Sequence, residues 1–319
     1  MSVSMDGLRA LFLGVSQSVF QQNGYTGLVL LLGVFLSSPW LGLAALLGLL
    51  TSTSVAWAIG AERGLILSGV YGFNGFFAGL ALASFFNPNP ALWIIVAIAG
   101  ALSAALTYAL HRLLGRIHLP PLSAPFVCVL WLILLSVMQV GGLAHAQGPV
   151  PGVGDRWLTD AARAWTDQLT NGQDTASLLL NGTLRGISQI FFQDDLVAGF
   201  IFLLGLLANS TRAALLAAAG SLTGSLIALL LIGAADPAVF HGLYGFNSAL
   251  SALAVGTLIG KPGWRTLIAA LLCSAVAAIA TGAMIPLLRP AGLSALSAPF
   301  CLSSWIFLLA LQEQHLQLR

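Results

Sequence analysis

Apolar runs broken by short polar punctuation fill most of this chain. The first is Leu8–Gln22, interrupted by Ser16, Gln17 and Ser18; Leu28–Leu36 and Leu41–Ile59 follow, separated by Ser37-Ser38-Pro39. The next run, Gly64–Phe86, carries five glycines and is a poor candidate for one continuous helix. It reads as a re-entrant or broken helix, which membrane depth tolerates only where protein or water covers the backbone. Asn87-Pro88-Asn89-Pro90 is a turn, Ala91–Leu114 a span, and Leu119–Phe126 opens a helix reaching about Val140. The segment Gly141–Ala176 is the one long polar stretch. It predicts an extramembrane linker, with a short helix over Asp155–Thr170.

Beyond the linker the chain repeats itself. Gly186-Ile187-Ser188-Gln189 answers Gly14-Val15-Ser16-Gln17 at an offset of 172 residues. Tyr244-Gly245-Phe246-Asn247 answers Tyr71-Gly72-Phe73-Asn74 at 173, and Leu296-Ser297-Ala298-Pro299-Phe300 answers Leu122-Ser123-Ala124-Pro125-Phe126 at 174. Ordered landmarks at a near-constant offset mean one structural unit used twice. The predicted organisation is a first repeat over residues 1–142, a linker over 143–176 and a second repeat over 177–319. Each repeat is expected to hold five transmembrane helices and one re-entrant helix. An odd number of spans makes the second repeat enter the membrane upside down, which places equivalent residues across a two-fold axis near the midplane.

Composition agrees. Of 319 residues, 58% are hydrophobic and only 7% charged. A soluble domain carries about 25% charged residues, so the expected fold class is an all-α polytopic membrane protein. The net charge of +2 comes from scattered residues with no basic cluster, which argues against a nucleic-acid partner. Basic residues flanking the spans favour a cytoplasmic N-terminus by a small margin. Cys128, Cys273 and Cys301 lie in apolar runs and read as small buried hydrophobes. No cleavable signal pattern, nucleotide loop, zinc signature or nucleophile elbow is present, so neither an enzyme nor a cofactor is expected.

The candidate functional residues are neutral. Gln17 and Gln189 each sit in an apolar helix with an aromatic three positions on, Phe20 and Phe192, expected on the same face. A primary amide without a partner in hydrocarbon costs several kcal/mol, so each faces another helix or a wet path. Interhelical hydrogen bonding is the usual fate of such a residue; duplication under inverted symmetry shifts the balance toward two amides guarding one axis. The Asn of each YGFN, beside Gly and an aromatic, reads as the wall of a narrow polar path. Phe73 and Phe77, like Phe246 and Leu250, are four apart and share a helix face, with Leu243 just before the second pair. Ordinary core packing explains most such stripes; the functional alternative is a flat slot for a planar solute. Ser123 and Ser297 each lie two residues before a proline, a helix-start signature. Each can cap its helix, present a hydroxyl to a solute, or do both.

No carboxylate occupies the middle of a span, whereas ion-coupled transporters commonly carry one there. The expected substrate is therefore neutral and moves downhill. The alternatives are a channel for another small neutral solute, a short amide or ammonia, and an ion-coupled secondary transporter.

Three of these motifs resemble the urea transporter family. Leu119–Phe126, LPPLSAPF, is similar to that family's LPxxTxPF signature with Ser123 in place of threonine. Leu293–Phe300, LSALSAPF, resembles it less closely, with Ser294 in place of proline and Ser297 in place of threonine. Leu184–Phe192 resembles the RGxxQVxF segment and Leu243–Asn247 the LYGFN segment. The resemblance implies a urea channel of ten spans and two re-entrant helices, one pore per subunit, in a homotrimer embedded in lipid, here of the bacterial type in the inner membrane. It implies that Gln17 and Gln189 offer carbonyl oxygens to urea, with Phe20 and Ile190 packed beside them. Phe73, Phe77, Leu243, Phe246 and Leu250 would form the slot, and Ser123 and Ser297 would take the midplane role of the signature threonines. Phe77 stands where the family often has leucine, which bears on the width of the slot.

Overall fold

A computed structural model describes residues 5–140, 174–233, 237–259 and 262–316. The predicted linker helix and most of the linker fall outside these residues. The chain divides into two compact units, Met1–Trp157 and Leu158–Arg319. The described residues are helical throughout, with short connections. In the first unit the helices are α1 (Met5–Gln17), α2 (Gly24–Ser37), α3 (Pro39–Ala58), α4 (Arg63–Leu67), α5 (Gly72–Phe85), α6 (Pro90–Leu114) and α7 (Ala124–Val140). In the second they are α8 (Thr175–Gln189), α9 (Leu196–Leu207), α10 (Thr211–Ile232), α11 (Pro237–Phe240), α12 (Gly245–Leu258), α13 (Trp264–Leu288) and α14 (Ala298–Leu316).

Local chemistry sets the starts. Asn23 caps α2 by accepting from the Tyr25 and Thr26 amides, and Asn89 caps α6 by accepting from Ala91, with Pro90 in the first turn. Ser38 caps α3 ahead of Pro39, so the Ser-Ser-Pro break is a one-residue corner between two helices. In the second unit Asp195 caps α9, Ser210 caps α10 and Asp174 caps α8. Hydrogen bonds from the Ser177 hydroxyl and amide hold the Asp174 carboxyl below its ordinary pKa. With the folded pKa depressed, this cap contributes at neutral pH and weakens only as the pH falls into the acid range.

The stops reveal the breaks. Helices α4 and α11 are single short turns ending at Gly69 (φ +83°) and Gly242 (φ +67°), after which α5 and α12 start afresh. The glycine-rich run Gly64–Phe86 is thus a broken helix, as its composition predicted. The left-handed residue lets the Val70 and Leu243 amides reach back to the Leu65 and Ala238 carbonyls. A side chain at either glycine is also excluded by its neighbour. A Cβ on Gly69 would lie 2.3 Å from the Gly14 nitrogen, and one on Gly242 2.2 Å from the Gly186 nitrogen.

Helices α5 and α12 form the cores. Asn74–Ala83 and Asn247–Gly256 are buried along their whole length. In the first unit α5 packs against α3, α6, α1 and α7; in the second α12 packs against α10, α13, α8 and α14 in the same pattern. Around these cores, α3, α6, α10 and α13 are long and apolar enough to cross a membrane. Large apolar side chains stand exposed on their outer faces, among them Ile94, Leu230 and Leu287. Water does not favour such a surface; lipid does. Cys273 and Cys301 are buried as expected, but Cys128 is on an exposed face of α7, which corrects its reading as a small buried hydrophobe: an apolar run in a membrane protein need not face protein.

Gly69→Ala or Gly242→Ala is expected to cost more than about 2 kcal/mol, from the left-handed conformation and the backbone collision together. Gly24→Ala, whose Cβ meets nothing within 4 Å, serves as the control. Thermal unfolding in detergent checks this, and equal melting temperatures for the three variants would refute it.

Candidate functional site

Both glutamines end a helix. Gln17 is the last residue of α1 and Gln189 the last of α8. The chain then turns through Phe20 (φ +61°) and Phe192 (φ +58°). The Gln21 amide reaches back to the Ser16 carbonyl, 3.0 Å, and the Gln193 amide to the Ser188 carbonyl, 3.2 Å. This corrects the expectation that Phe20 and Phe192 continue the helix face of the glutamines: each occupies the left-handed closing position that glycine normally takes. A phenylalanine there costs about 1–2 kcal/mol, and the cost is accepted at both copies. The turn takes both phenylalanines out of the helix that each glutamine ends.

Each glutamine amide is then fixed. Gln17 Nε2 donates to the Ser68 carbonyl, 3.0 Å, and Gln189 Nε2 to the His241 carbonyl, 3.2 Å. Those carbonyls lie where α4 and α11 stop, so they lack the partner a continuing helix would supply. One broken helix therefore supplies the acceptor that orients one glutamine in each unit. A carbonyl accepts only, which assigns the amide nitrogen to that side and points Oε1 the other way. Both side chains are half-buried.

The Asn of each YGFN does something other than line a path. Asn74 Nδ2 donates to Thr107 Oγ1, 3.3 Å, and to the Leu122 carbonyl, 3.4 Å, while Asn74 Oδ1 accepts from the Phe126 amide, 3.2 Å. Asn247 does the same with Thr281, 3.1 Å, Leu296, 3.1 Å, and Phe300, 3.3 Å. Both asparagines are completely buried. The expectation of a path wall is corrected: both ends of each amide are consumed in holding the start of α7 or α14.

That clamp explains the Ser-Ala-Pro-Phe motif atom by atom. The Ala124 amide bonds the Pro121 carbonyl, Pro125 has no donor, Phe126 bonds Asn74 and Val127 bonds the Ser123 carbonyl. The Ala298, Pro299, Phe300 and Cys301 series repeats this with Ala295, Asn247 and Ser297. A helix can begin deep in protein only if its first donors are matched, and here every one is. Leu122 (φ +53°) and Leu296 (φ +49°) make the turn that presents their carbonyls to the asparagines. Ser123 and Ser297 are buried at these two helix starts.

The aromatic residues divide by burial. Phe73 and Phe246 are half-buried, Leu243 is exposed, and Phe77 and Leu250 are buried. Phe77 meets Phe73 edge-on at 6.4 Å and Phe126 at 5.6 Å between ring centroids, so it buttresses Phe73 against α7. Ile190 is buried in the second unit. Phe192, half-buried, stands at the position matching Phe20. Sequence reasoning noted Phe192 but placed Ile190 beside the glutamine; the constant offset of 172 was the signal that pairs Phe192 with Phe20. It also missed the two carbonyls that hold the glutamines, since any residue type can supply a carbonyl.

The sequence profile described as "UT: Urea transporter" matches residues 8–312. The chain belongs to the urea transporter family. It is 30% identical to urea transporter 1 of Ovis aries over 300 residues, 93% of this chain and 75% of the relative. It is likewise 30% identical to urea transporter 1 of Mus musculus, with 93% and 75% covered, and of Rattus norvegicus, with 94% and 76%. This urea transporter is an integral multi-pass membrane protein, and its role is transport rather than catalysis.

In this urea transporter, Asn74→Leu and Asn247→Leu each strand a buried amide and a buried carbonyl. Each is expected to cost about 2–6 kcal/mol, at ~1–3 kcal/mol per stranded group. Thermal unfolding of the purified variants reads this out; melting temperatures matching the parent would refute the clamp.

Proposed function

We propose that this family member conducts urea passively through a narrow, uncharged pore to which the two units contribute equivalent residues under inverted symmetry. One observation carries the proposal: in each unit a helix-ending glutamine has its amide nitrogen locked on a backbone carbonyl, which leaves Oε1 as a fixed acceptor for a urea N–H. Gln17 and Gln189 would hold urea at the two ends of the path. Phe20 and Phe192, with Phe73 and Phe246, would offer flat apolar contact, with Phe77 and Leu250 behind the latter pair. Leu243 would stand at one rim, Ile190 would pack behind Gln189, and Ser123 and Ser297 would mark the centre.

The chemistry suits the solute. Urea leaving water loses hydrogen bonds, and side-chain and backbone oxygens along one edge can replace them. Aromatic faces tolerate the flat molecule and exclude hydrated ions. Neutral oxygens bind weakly enough for release, which conduction requires. Among the described residues no carboxylate takes part in these glutamine or asparagine contacts, which supports flux without ion coupling. A homotrimer, a bacterial inner membrane and a cytoplasmic N-terminus complete the proposal; they rest on the family resemblance and on the distribution of basic residues.

Stopped-flow light scattering on proteoliposomes tests it. Gln17→Ala and Gln189→Ala are each expected to lower urea flux about tenfold, the worth of one net hydrogen bond of ~1.4 kcal/mol in a rate. Parent flux is expected to be indifferent to imposed proton or sodium gradients. Flux unaltered in both variants, or flux only with an ion gradient, would overturn the channel. Parallel runs with acetamide, thiourea and ammonia decide between urea and the other neutral solutes.

A further inference from the structure

The two glutamine ends are not equivalent. In the second unit a ring of contacts surrounds the carbonyl that holds Gln189. Asp194 Oδ1 lies 2.6 Å from Arg185 Nη1, and Asp194 Oδ2 lies 2.5 Å from His241 Nδ1. A carboxylate only accepts here, so the imidazole carries its hydrogen on Nδ1. Arg185 also donates to the Asp194 carbonyl, 3.0 Å, and to Asn181 Oδ1, 3.4 Å. Its guanidinium stacks over Phe240, 4.7 Å from the ring centroid. Arg185 and Gln189 are four apart on α8, so the ring closes: α8 to Asp194, Asp194 to His241, and His241 back to Gln189 through its carbonyl. The first unit has Leu13, Gln22, Leu67 and Ser68 at the positions matching Arg185, Asp194, Phe240 and His241. Among the described residues, the hydrogen bond given for the Gln17 side chain is the one to that carbonyl.

We infer that Asp194 is a positioning residue for the Gln189 end of the path. It ties His241 to α8 and so fixes the carbonyl that orients the Gln189 amide. Urea is neutral, so a carboxylate has little to offer it directly at the rim; what Asp194 does is hold two hydrogen-bond donors, the Arg185 guanidinium and the His241 imidazole, in one place. Arg185 is part-buried while the Asp194 and His241 side chains are 38% and 42% exposed, so it is the anchoring of one carboxylate on two partners, not burial, that sets this group apart from a lone surface ion pair. The inference rests on the reading of Gln189 as a solute-binding residue.

A double-mutant cycle on urea uptake by proteoliposomes tests it, with half-saturation and maximal flux fitted separately. Asp194→Ala is expected to raise half-saturation about three- to tenfold while leaving maximal flux within about twofold. His241→Phe, which keeps the backbone carbonyl but removes its tie, is expected to do the same. Asp194→Asn, which keeps an acceptor for only one of the two partners and turns a donor toward the other, is expected to fall between parent and alanine. In a Gln189→Ala background, Asp194→Ala is expected to add nothing further, since it acts only through that side chain. Additive effects of Asp194→Ala and Gln189→Ala would overturn the inference, as would an unchanged half-saturation in Asp194→Ala with a lowered melting temperature. If Gln189→Ala itself leaves half-saturation unchanged, the solute role of Gln189 falls first and the inference with it.

Discussion

Everything distinctive in this protein follows from breaking helices where the chain is otherwise apolar. A bilayer offers nothing to an unpaired backbone group, so each break leaves donors and acceptors that protein must match. Asn74 and Asn247 meet that demand most directly. Each side-chain amide donates to the carbonyl at a left-handed turn and accepts from the first unmatched amide of the next helix. Proline one position earlier removes a donor that would otherwise need a partner of its own. Smaller devices finish the work: Ser52 donates to the Tyr71 carbonyl and Ser248 to the Tyr244 carbonyl, both at the start of the central helices.

The same breaks create the acceptors that hold the two glutamines. A helix that stops short exposes a carbonyl, and Gln17 and Gln189 take those carbonyls. The bond does more than satisfy the amide. It fixes which end of the amide faces away from the carbonyl, and on the proposed function that end is the acceptor for a solute N–H. An unanchored glutamine could turn its own NH₂ toward the solute or fold onto a neighbour. The strained phenylalanines follow the same pattern: an unfavourable turn, kept in both units, puts a phenylalanine three residues past each anchored glutamine.

Much of this was legible in the chain. Composition and the long runs fixed the fold class, the repeat offsets pointed to two like units, and the glycine-rich run through Gly69 announced a broken helix. Duplication singled out the glutamines. The errors share one cause. Periodicity assumes that a helix continues, so it carried Phe20 and Phe192 onto the glutamine face when both lie beyond a left-handed turn that glycine usually marks. It also treated a buried asparagine as a lining group, because nothing local reveals that Phe126, 52 residues away, needs its oxygen. Backbone carbonyls such as those of Ser68 and His241 leave no mark in the sequence, since what makes them available is the place where a helix ends.

The asymmetry between the two glutamine ends is best understood as a difference in stiffness. Ser68 presents its carbonyl from a short turn whose Ser68 Oγ bonds Leu65 within the turn itself. His241 presents the matching carbonyl from a turn bound to α8 through Asp194 and Arg185. A rigid acceptor binds more selectively because less ordering is required of it when solute arrives, while a compliant one releases more readily. Two identical ends would compromise on both properties. On the proposed function, tying one end down through Asp194 and leaving the other to a hydrogen bond would separate the two demands, with groups that never need to touch a neutral solute.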